Sequence, residues 1–288
     1  NHSFENILKQ ESLENTAYRL DQNLAGNWLP ILRFCTIILT VGLMLALSFV
    51  LRILFLPLRR SFFLRWNTLL IIYPFARFLM RVLGTRMKIH GKVQHSNQLV
   101  VSHHQGVIDS LMLMALSPCM VISNSNIRNL RGIGWVMEQL GFEFVDRSKH
   151  RSIQEVMKPA VTKIAESKIN VGFFPEGQSN NGLKMLPFKS PFFQIALEAE
   201  CDVQPVVFQY TKANGRLVST QDMDVLVYRQ TQGSIVKYVF KMLRVKSIEI
   251  DVEFLPRIPF ERIKLENWSR KEICAEAESI VRPAFELR

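Results

Sequence analysis

The stretch Leu99-Val100-Val101-Ser102-His103-His104-Gln105-Gly106-Val107-Ile108-Asp109, running on into Ser110-Leu111-Met112-Leu113-Met114-Ala115-Leu116, decides how the chain is read. The apolar run at its start reads as a strand, the polar middle as a turn, and residues 110–116 as a helix. Asp109 falls in the first helical turn, where a carboxylate suits the helix dipole. His104 and Asp109 are five positions apart, so the turn can fold the Asp back onto one ring nitrogen of the His. The other nitrogen then faces out, free to take a proton. This is a base with its orienting carboxylate and no protein nucleophile beside it. It suits a reaction in which the substrate's own hydroxyl attacks. A His near a capping Asp is also an ordinary structural feature, so the spacing alone leaves both readings open.

Outward from this stretch, the chain beyond residue 86 alternates short strands and helices. Strands are expected at 87–91, 99–102, 120–123, 141–147, 170–174, 203–209 and 247–255. Helices are expected at 110–116, 132–140, 153–166, 191–199, 234–243 and 270–285. Alternation of this kind predicts an α/β fold, a central mixed sheet flanked by helices.

The part before residue 87 has a different texture. Residues 3–24 are polar with Leu13, Ala17, Leu20 and Leu24 at helical spacing, so 1–27 reads as an amphipathic arm. Residues 34–51 contain no charge, which meets the lower bound for a membrane helix. Trp28 before it and Arg52, Arg59 and Arg60 after it fit interface anchors, and the Arg-rich end is expected on the cytoplasmic side. The apolar run starts late and lacks a small-residue cleavage site, so it is not read as a secretory signal. Residues 61–83 form a second apolar stretch broken by Arg65, Arg77 and Arg81, with a kink expected at Pro74. It reads as lying in the interface or re-entering, its arginines snorkelling. The expected division is therefore an arm (1–27), a membrane-associated helical hairpin (28–86) and an α/β domain (87–288).

The net charge of +11 is concentrated: residues 52–92 hold nine cations and no acid. Basic charge beside an apolar helix points to anionic lipid head groups. Nucleic acid is the competing partner, disfavoured because no nucleic-acid module is recognisable. The 288 residues have a mean hydropathy of +0.09 and four scattered cysteines, with neither metal-ligand nor disulfide-framework spacing. A reducing compartment follows for the α/β part.

A second motif, Phe173-Phe174-Pro175-Glu176-Gly177, ends an apolar strand about seventy residues after His104. Gly177 lets backbone N–H groups approach a ligand, and Glu176 can bind an acceptor or lock the loop. His-x-x-x-x-Asp followed by Phe-Pro-Glu-Gly, in this order and at this separation, resembles the glycerolipid acyltransferase family. His103 stands where that family usually has Asn, and Gly106 where it often has Ser. The resemblance covers roughly residues 87–283.

The resemblance implies a membrane-bound O-acyltransferase that moves a fatty acyl chain from acyl-CoA or acyl carrier protein to a lysolipid hydroxyl. It implies His104 as general base and Asp109 as its orienting partner. Backbone N–H groups near His104 or Gly177 are expected to hold the oxyanion. Glu176, Gly177, Gln178, Ser179, Arg147 and Lys189 are the expected substrate-binding residues. Arg147 closes a third family block and either binds phosphate or the pantetheine side, or pairs with Asp146. Neither metal nor prosthetic group is implied; the thioester is a co-substrate. The location implied is the endoplasmic reticulum or a bacterial inner membrane.

Two departures bear on the acceptor. The lysophosphatidic acid branch has Arg where Ser179 stands and Lys about where Asn124 stands. Glu-Gly-Gln-Ser-Asn-Asn with Phe188-Lys189 instead resembles the lysophosphatidylcholine acyltransferases. A lysophospholipid with a head group is therefore the expected acceptor. The alternatives are acylation of 1-acylglycerol 3-phosphate or glycerol 3-phosphate, and a non-catalytic lipid-surface protein that keeps the fold.

Overall fold

A computed structural model describes residues 26, 28–92, 97–106, 108–128, 132–139, 141–146, 150–178, 184–220, 222–227 and 235–286. The amphipathic arm expected over residues 3–24, Arg147 and Ser179 lie outside the described residues. The strands are β1 (Thr85–His90), β2 (Gln98–Ser102), β3 (Cys119–Asn124), β4 (Glu143–Val145), β5 (Asn170–Phe173), β6 (Asp202–Ala213), β7 (Arg216–Leu217) and β8 (Ile248–Phe254). The helices that matter below are α1 (Trp28–Leu54), α2 (Arg60–Asn67), α3 (Tyr73–Val82), α4 (Ile108–Leu116), α5 (His150–Ala165), α6 (Ile235–Leu243) and α7 (Arg270–Glu286).

The sheet runs β1-β8-β6-β2-β5-β3-β4, with β7 folded back on β6 as a short hairpin. It is mixed, as expected: β6, β2, β5, β3 and β4 are parallel neighbours, whereas β8 is antiparallel to β6. Along β2, Val100 belongs to one hydrophobic core while Leu99 and Val101 belong to the other. Burial on both faces explains why this strand is apolar throughout rather than alternating. Helices α3, α4 and α6 cover the first face, and α5 and α7 the second. Since β2 and β5 are in register, Val101 opposite Phe173, the segments that leave their carboxyl ends emerge side by side. Ligands bind at this edge in open α/β sheets.

Helix α1 lies along the first face. Pro30, Arg33, Thr40 and Met44 are buried, with Ile37 packed on the core between them, a stripe of alternating three- and four-residue steps. Its other faces expose Ile31, Leu39, Leu43, Phe49, Val50 and Leu54. Among the described residues it is the one helix long and apolar enough to cross a membrane. An apolar flank of this size marks a membrane or protein contact. The buried Arg33 guanidinium donates to the carbonyls of Leu243 (3.0 Å), Val245 and Lys246 (2.9 Å), capping the end of α6. Gly84, at φ +73°, makes room: a Cβ there would lie 2.5 Å from the Arg33 guanidinium and 2.4 Å from the Lys246 oxygen.

The break expected at Pro74 takes the form of a π turn, Thr68–Ile72, between α2 and α3. The Tyr73 amide reaches back to the Thr68 carbonyl, and Pro74 falls in the first turn of α3, where its missing N–H leaves no gap. One face of this stretch packs on the α/β domain and the other is exposed. Ile72, Ala76, Met80 and Leu83 belong to the first core, whereas Arg77, Phe78 and Arg81 face outward.

Candidate active site

The turn after β2 places His104 and Asp109 together. His104 Nδ1 lies 2.9 Å from Asp109 Oδ2. That same oxygen accepts the backbone N–H of Gln105 (2.6 Å) and Gly106 (2.7 Å), so the carboxylate closes the turn as it holds the ring. Asp109 Oδ1 accepts the Tyr210 hydroxyl at 3.3 Å. Four donors converge on one side chain, which suits an acceptor-only carboxylate. Burial and the Asp109 charge push the Tyr210 phenol well above its usual range, so it stays a donor. The Asp109 side chain is 1% exposed and that of His104 is 23% exposed. With Nδ1 engaged, Nε2 is the nitrogen left for a substrate. The Phe174 ring stacks on the imidazole at 4.3 Å and 15°, fixing its plane.

The second motif meets the first. Glu176 is 1% exposed. Its Oε1 accepts the His104 N–H at 2.8 Å and its Oε2 accepts the Leu186 N–H at 3.0 Å. Of the two roles open to it, substrate ligand or lock of the loop, this geometry favours the lock: it ties the β2 turn, the β5 turn and the segment before Phe188. Gly177, at φ +85°, gives its N–H to the Phe174 carbonyl at 3.1 Å. Of the N–H groups near His104 or Gly177 expected to hold an oxyanion, those of His104 and Gly177 themselves are already engaged. Gln178 is exposed at the rim. Lys189 is fixed beside the motif by its N–H to the Pro175 carbonyl (2.9 Å), with its side chain exposed. Asn124 ends β3 at this same edge.

His103 points the other way, as alternate residues of an extended segment do. It is buried between the rings of Phe208 (6.0 Å) and Phe285 (4.9 Å). Burial pulls its pKa down to about 4 against a smaller opposing pull from Asp109. The Gln105 side chain and Phe208 backbone also favour its proton, without well-formed hydrogen bonds to the ring. His103 is therefore a neutral packing residue. Gly106 is pressed against the next segment: a Cβ there would lie 3.2 Å from the Leu226 oxygen and 3.6 Å from Val227 Cα. Cys119, Cys201 and Cys274 are buried, and burial raises each thiol, which removes them as nucleophiles.

Tyr210, Phe174 and the Leu186 amide complete the site, and the motifs do not announce them. Val206, Phe208 and Tyr210 alternate onto the first core. Extending the expected strand by one residue carries Tyr210 to the face where Asp109 sits.

A buried carboxylate holding a partly exposed imidazole at the carboxyl edge of a mixed sheet, with no thiol or hydroxyl nucleophile paired to the ring among the described residues, is a class of site suited to hydroxyl acceptors. Residues 86–209 match the model of the family described as Acyltransferase. It is 31% identical over 124 residues to a 1-acyl-sn-glycerol-3-phosphate acyltransferase of Neisseria gonorrhoeae, covering 43% of this chain and 48% of that one. The chain thus spans about half the length of this relative. It is 24% identical over 200 residues to a lyso-ornithine lipid O-acyltransferase of Rhizobium meliloti, covering 67% and 66% of the two. The fold is that of the 1-acyl-sn-glycerophosphate acyltransferase PlsC from Thermotoga maritima, at TM-score 0.63 and 18% identity over 90% of this chain and 94% of that one.

Proposed function

We propose that the protein is an O-acyltransferase of glycerolipid synthesis that transfers a fatty acyl chain from a thioester to a lysolipid hydroxyl. One observation carries this: the His104–Asp109 pair, held at 2.9 Å on the carboxyl edge with the ring still partly exposed. His104 Nε2 takes the hydroxyl proton as the oxygen attacks the thioester carbonyl, then returns it to the leaving thiolate. Asp109 and Tyr210 hold the tautomer and steady the imidazolium. No acyl-enzyme is formed. The donor is acyl-CoA or acyl carrier protein. The nine cations of residues 52–92 favour a catalytic edge on the cytoplasmic side.

The relatives' names favour 1-acyl-sn-glycerol 3-phosphate over the lysophosphatidylcholine-like acceptor expected from Gln178 and Ser179. Lys189, exposed beside the Pro-Glu-Gly turn, supports this reading as a cation available to a phosphate. A second reading, a lyso-ornithine lipid, has its own support: the alignment with that relative is longer, and Ser179 and Asn124 supply no cation. The test is an acceptor panel with the purified full chain, one labelled acyl-CoA, and 1-acylglycerol 3-phosphate, lyso-ornithine lipid and lysophosphatidylcholine. Transfer to the first, abolished in His104→Ala, is the expected result. Transfer to lyso-ornithine lipid alone replaces the acceptor, and transfer to none overturns the activity.

A further inference from the structure

A cavity lies at the edge of the sheet opposite the His104–Asp109 pair. It measures about 400 Å³ and is floored by Met120, Phe142 and Ile169, at the amino ends of β3, β4 and β5. His104 and Glu176 leave the carboxyl ends of β2 and β5, so the cavity is a strand's length, roughly 15–20 Å, from the reacting groups. Its size falls in the range of small-molecule sites, about 300–1,000 Å³.

The walls are of two kinds. Leu45 and Phe49 of α1 and Phe63 of α2 form an apolar side, continuous with the exposed flank of α1. Arg52 and Arg60 stand at the mouth, both exposed, and among the described residues neither has a carboxylate partner. The lining acids are already ion-paired: Glu143 to Lys163, which lines the same cavity, at 2.5 Å, and Glu138 to Arg128 outside it at 2.7 Å. Asn67 also lines the cavity; it is 3% exposed, and its Oδ1 has no hydrogen-bond partner. Rotated about its last bond, that amide offers an N–H to an anion. Two unpaired guanidiniums, a buried spare amide and an apolar wall facing lipid match an amphiphile with an anionic head.

We propose that this cavity binds one anionic phospholipid of the surrounding leaflet, its phosphate on Arg52 and Arg60 and its acyl chain along Leu45 and Phe49. The bound lipid is neither acceptor nor donor, because it sits at the wrong edge of the sheet. It fastens the α1–α2 turn to the α/β domain.

The test uses the full chain in neutral detergent, titrated with dioleoyl phosphatidylglycerol and read by native mass spectrometry as the fraction carrying one lipid. Wild type retains one phosphatidylglycerol and not dioleoyl phosphatidylcholine. Arg52→Gln/Arg60→Gln weakens retention about ten- to hundredfold, the loss of charge-assisted hydrogen bonds. Arg59→Gln/Arg65→Gln removes the same charge from residues that line a different surface pocket and leaves retention unchanged. Asn67→Leu, which keeps all cations, weakens it by a smaller factor. Equal loss in both double variants reduces the effect to the general basic band and overturns the proposal. So does equal retention of phosphatidylcholine. Displacement by inorganic phosphate assigns the anion site to a soluble ligand, and displacement by acyl-CoA assigns it to the donor; either refutes the lipid.

Discussion

Replacing Glu176 with Gln tests whether this residue locks the site or binds substrate. Each carboxylate oxygen accepts one backbone N–H, from His104 at 2.8 Å and from Leu186 at 3.0 Å. A glutamine keeps one carbonyl oxygen and presents an NH2 where the other stood, so one of the two amides faces a donor. Hydrogen bonds to a charged acceptor are about twice as strong as neutral ones. Weakening one and orphaning the other costs about 2–4 kcal/mol at a site this buried. For a protein of this size that is roughly 3–7 °C in Tm. The His104 backbone loses its tether, and a misplacement near 1 Å costs about 100-fold in rate. The expected variant is less thermostable in detergent, has kcat lowered about 10- to 100-fold, and keeps its acceptor KM within about threefold. An unchanged Tm with a raised acceptor KM and normal kcat would refute the lock and make Glu176 a substrate ligand.

His104→Ala should lower turnover about 100- to 10,000-fold without loss of vesicle binding in a flotation assay; initial rates within a few-fold of wild type would remove His104 as the base. Asp109→Asn should be nearly as harmful, because the amide cannot accept all its present donors. Tyr210→Phe removes one of the donors on Asp109 and should lower kcat about 3- to 10-fold, with a shifted acidic limb of the pH–rate profile and unchanged KM. His103, depressed to about 4 in the fold, takes up its proton in the unfolded chain first. Stability is therefore full above about pH 6.5 and falls as pH drops towards 4, by about 1.4 kcal/mol per unit and about 3 kcal/mol in all. His103→Asn should flatten that part of a denaturation-against-pH curve, and an unchanged slope would show that other groups carry it.

What could be read from the sequence follows how local each feature is. The strand–turn–helix around His104 is continuous in sequence, and the His104–Asp109 contact spans five residues, so pattern and spacing suffice. The α5 and α7 helices and most strands carry their own periodicity. The sheet order is different: β8 is inserted between β1 and β6, a pairing decided by the packing of both faces and not by any local signal. Tyr210 reaches Asp109 across 101 residues, and Arg33 reaches Leu243 across 210. Arg33 sits just before the uncharged run, where it reads as a flank and not as a clamp. Glu176 was legible as a motif residue. Its role was not, because either oxygen could meet a substrate or an amide until the neighbouring turn was placed.

The packing of α3 argues against treating residues 87–288 as a separable catalytic fragment. Ile72, Leu79, Met80 and Leu83 are at most 9% exposed, and three of them share the first core with α4 and β8. Each large side chain so buried stabilises by about 1.5–3 kcal/mol, or roughly 6–12 kcal/mol for the four. A whole domain has only about 5–15 kcal/mol to lose. Cutting after residue 86 also removes Thr85 and Arg86 from their pairing with Ile248 and Glu249. It removes Arg33 from the end of α6, whose Tyr238 hydroxyl holds the Leu226 carbonyl at 2.7 Å. That carbonyl is the wall against which Gly106 and the catalytic turn rest. The apolar flank of α1 and the turn that holds His104 are therefore parts of one packed unit. The expected fragment is insoluble or binds hydrophobic dyes without a cooperative melt, and a cooperatively folded, active 87–288 fragment would show that α1–α3 are a detachable anchor.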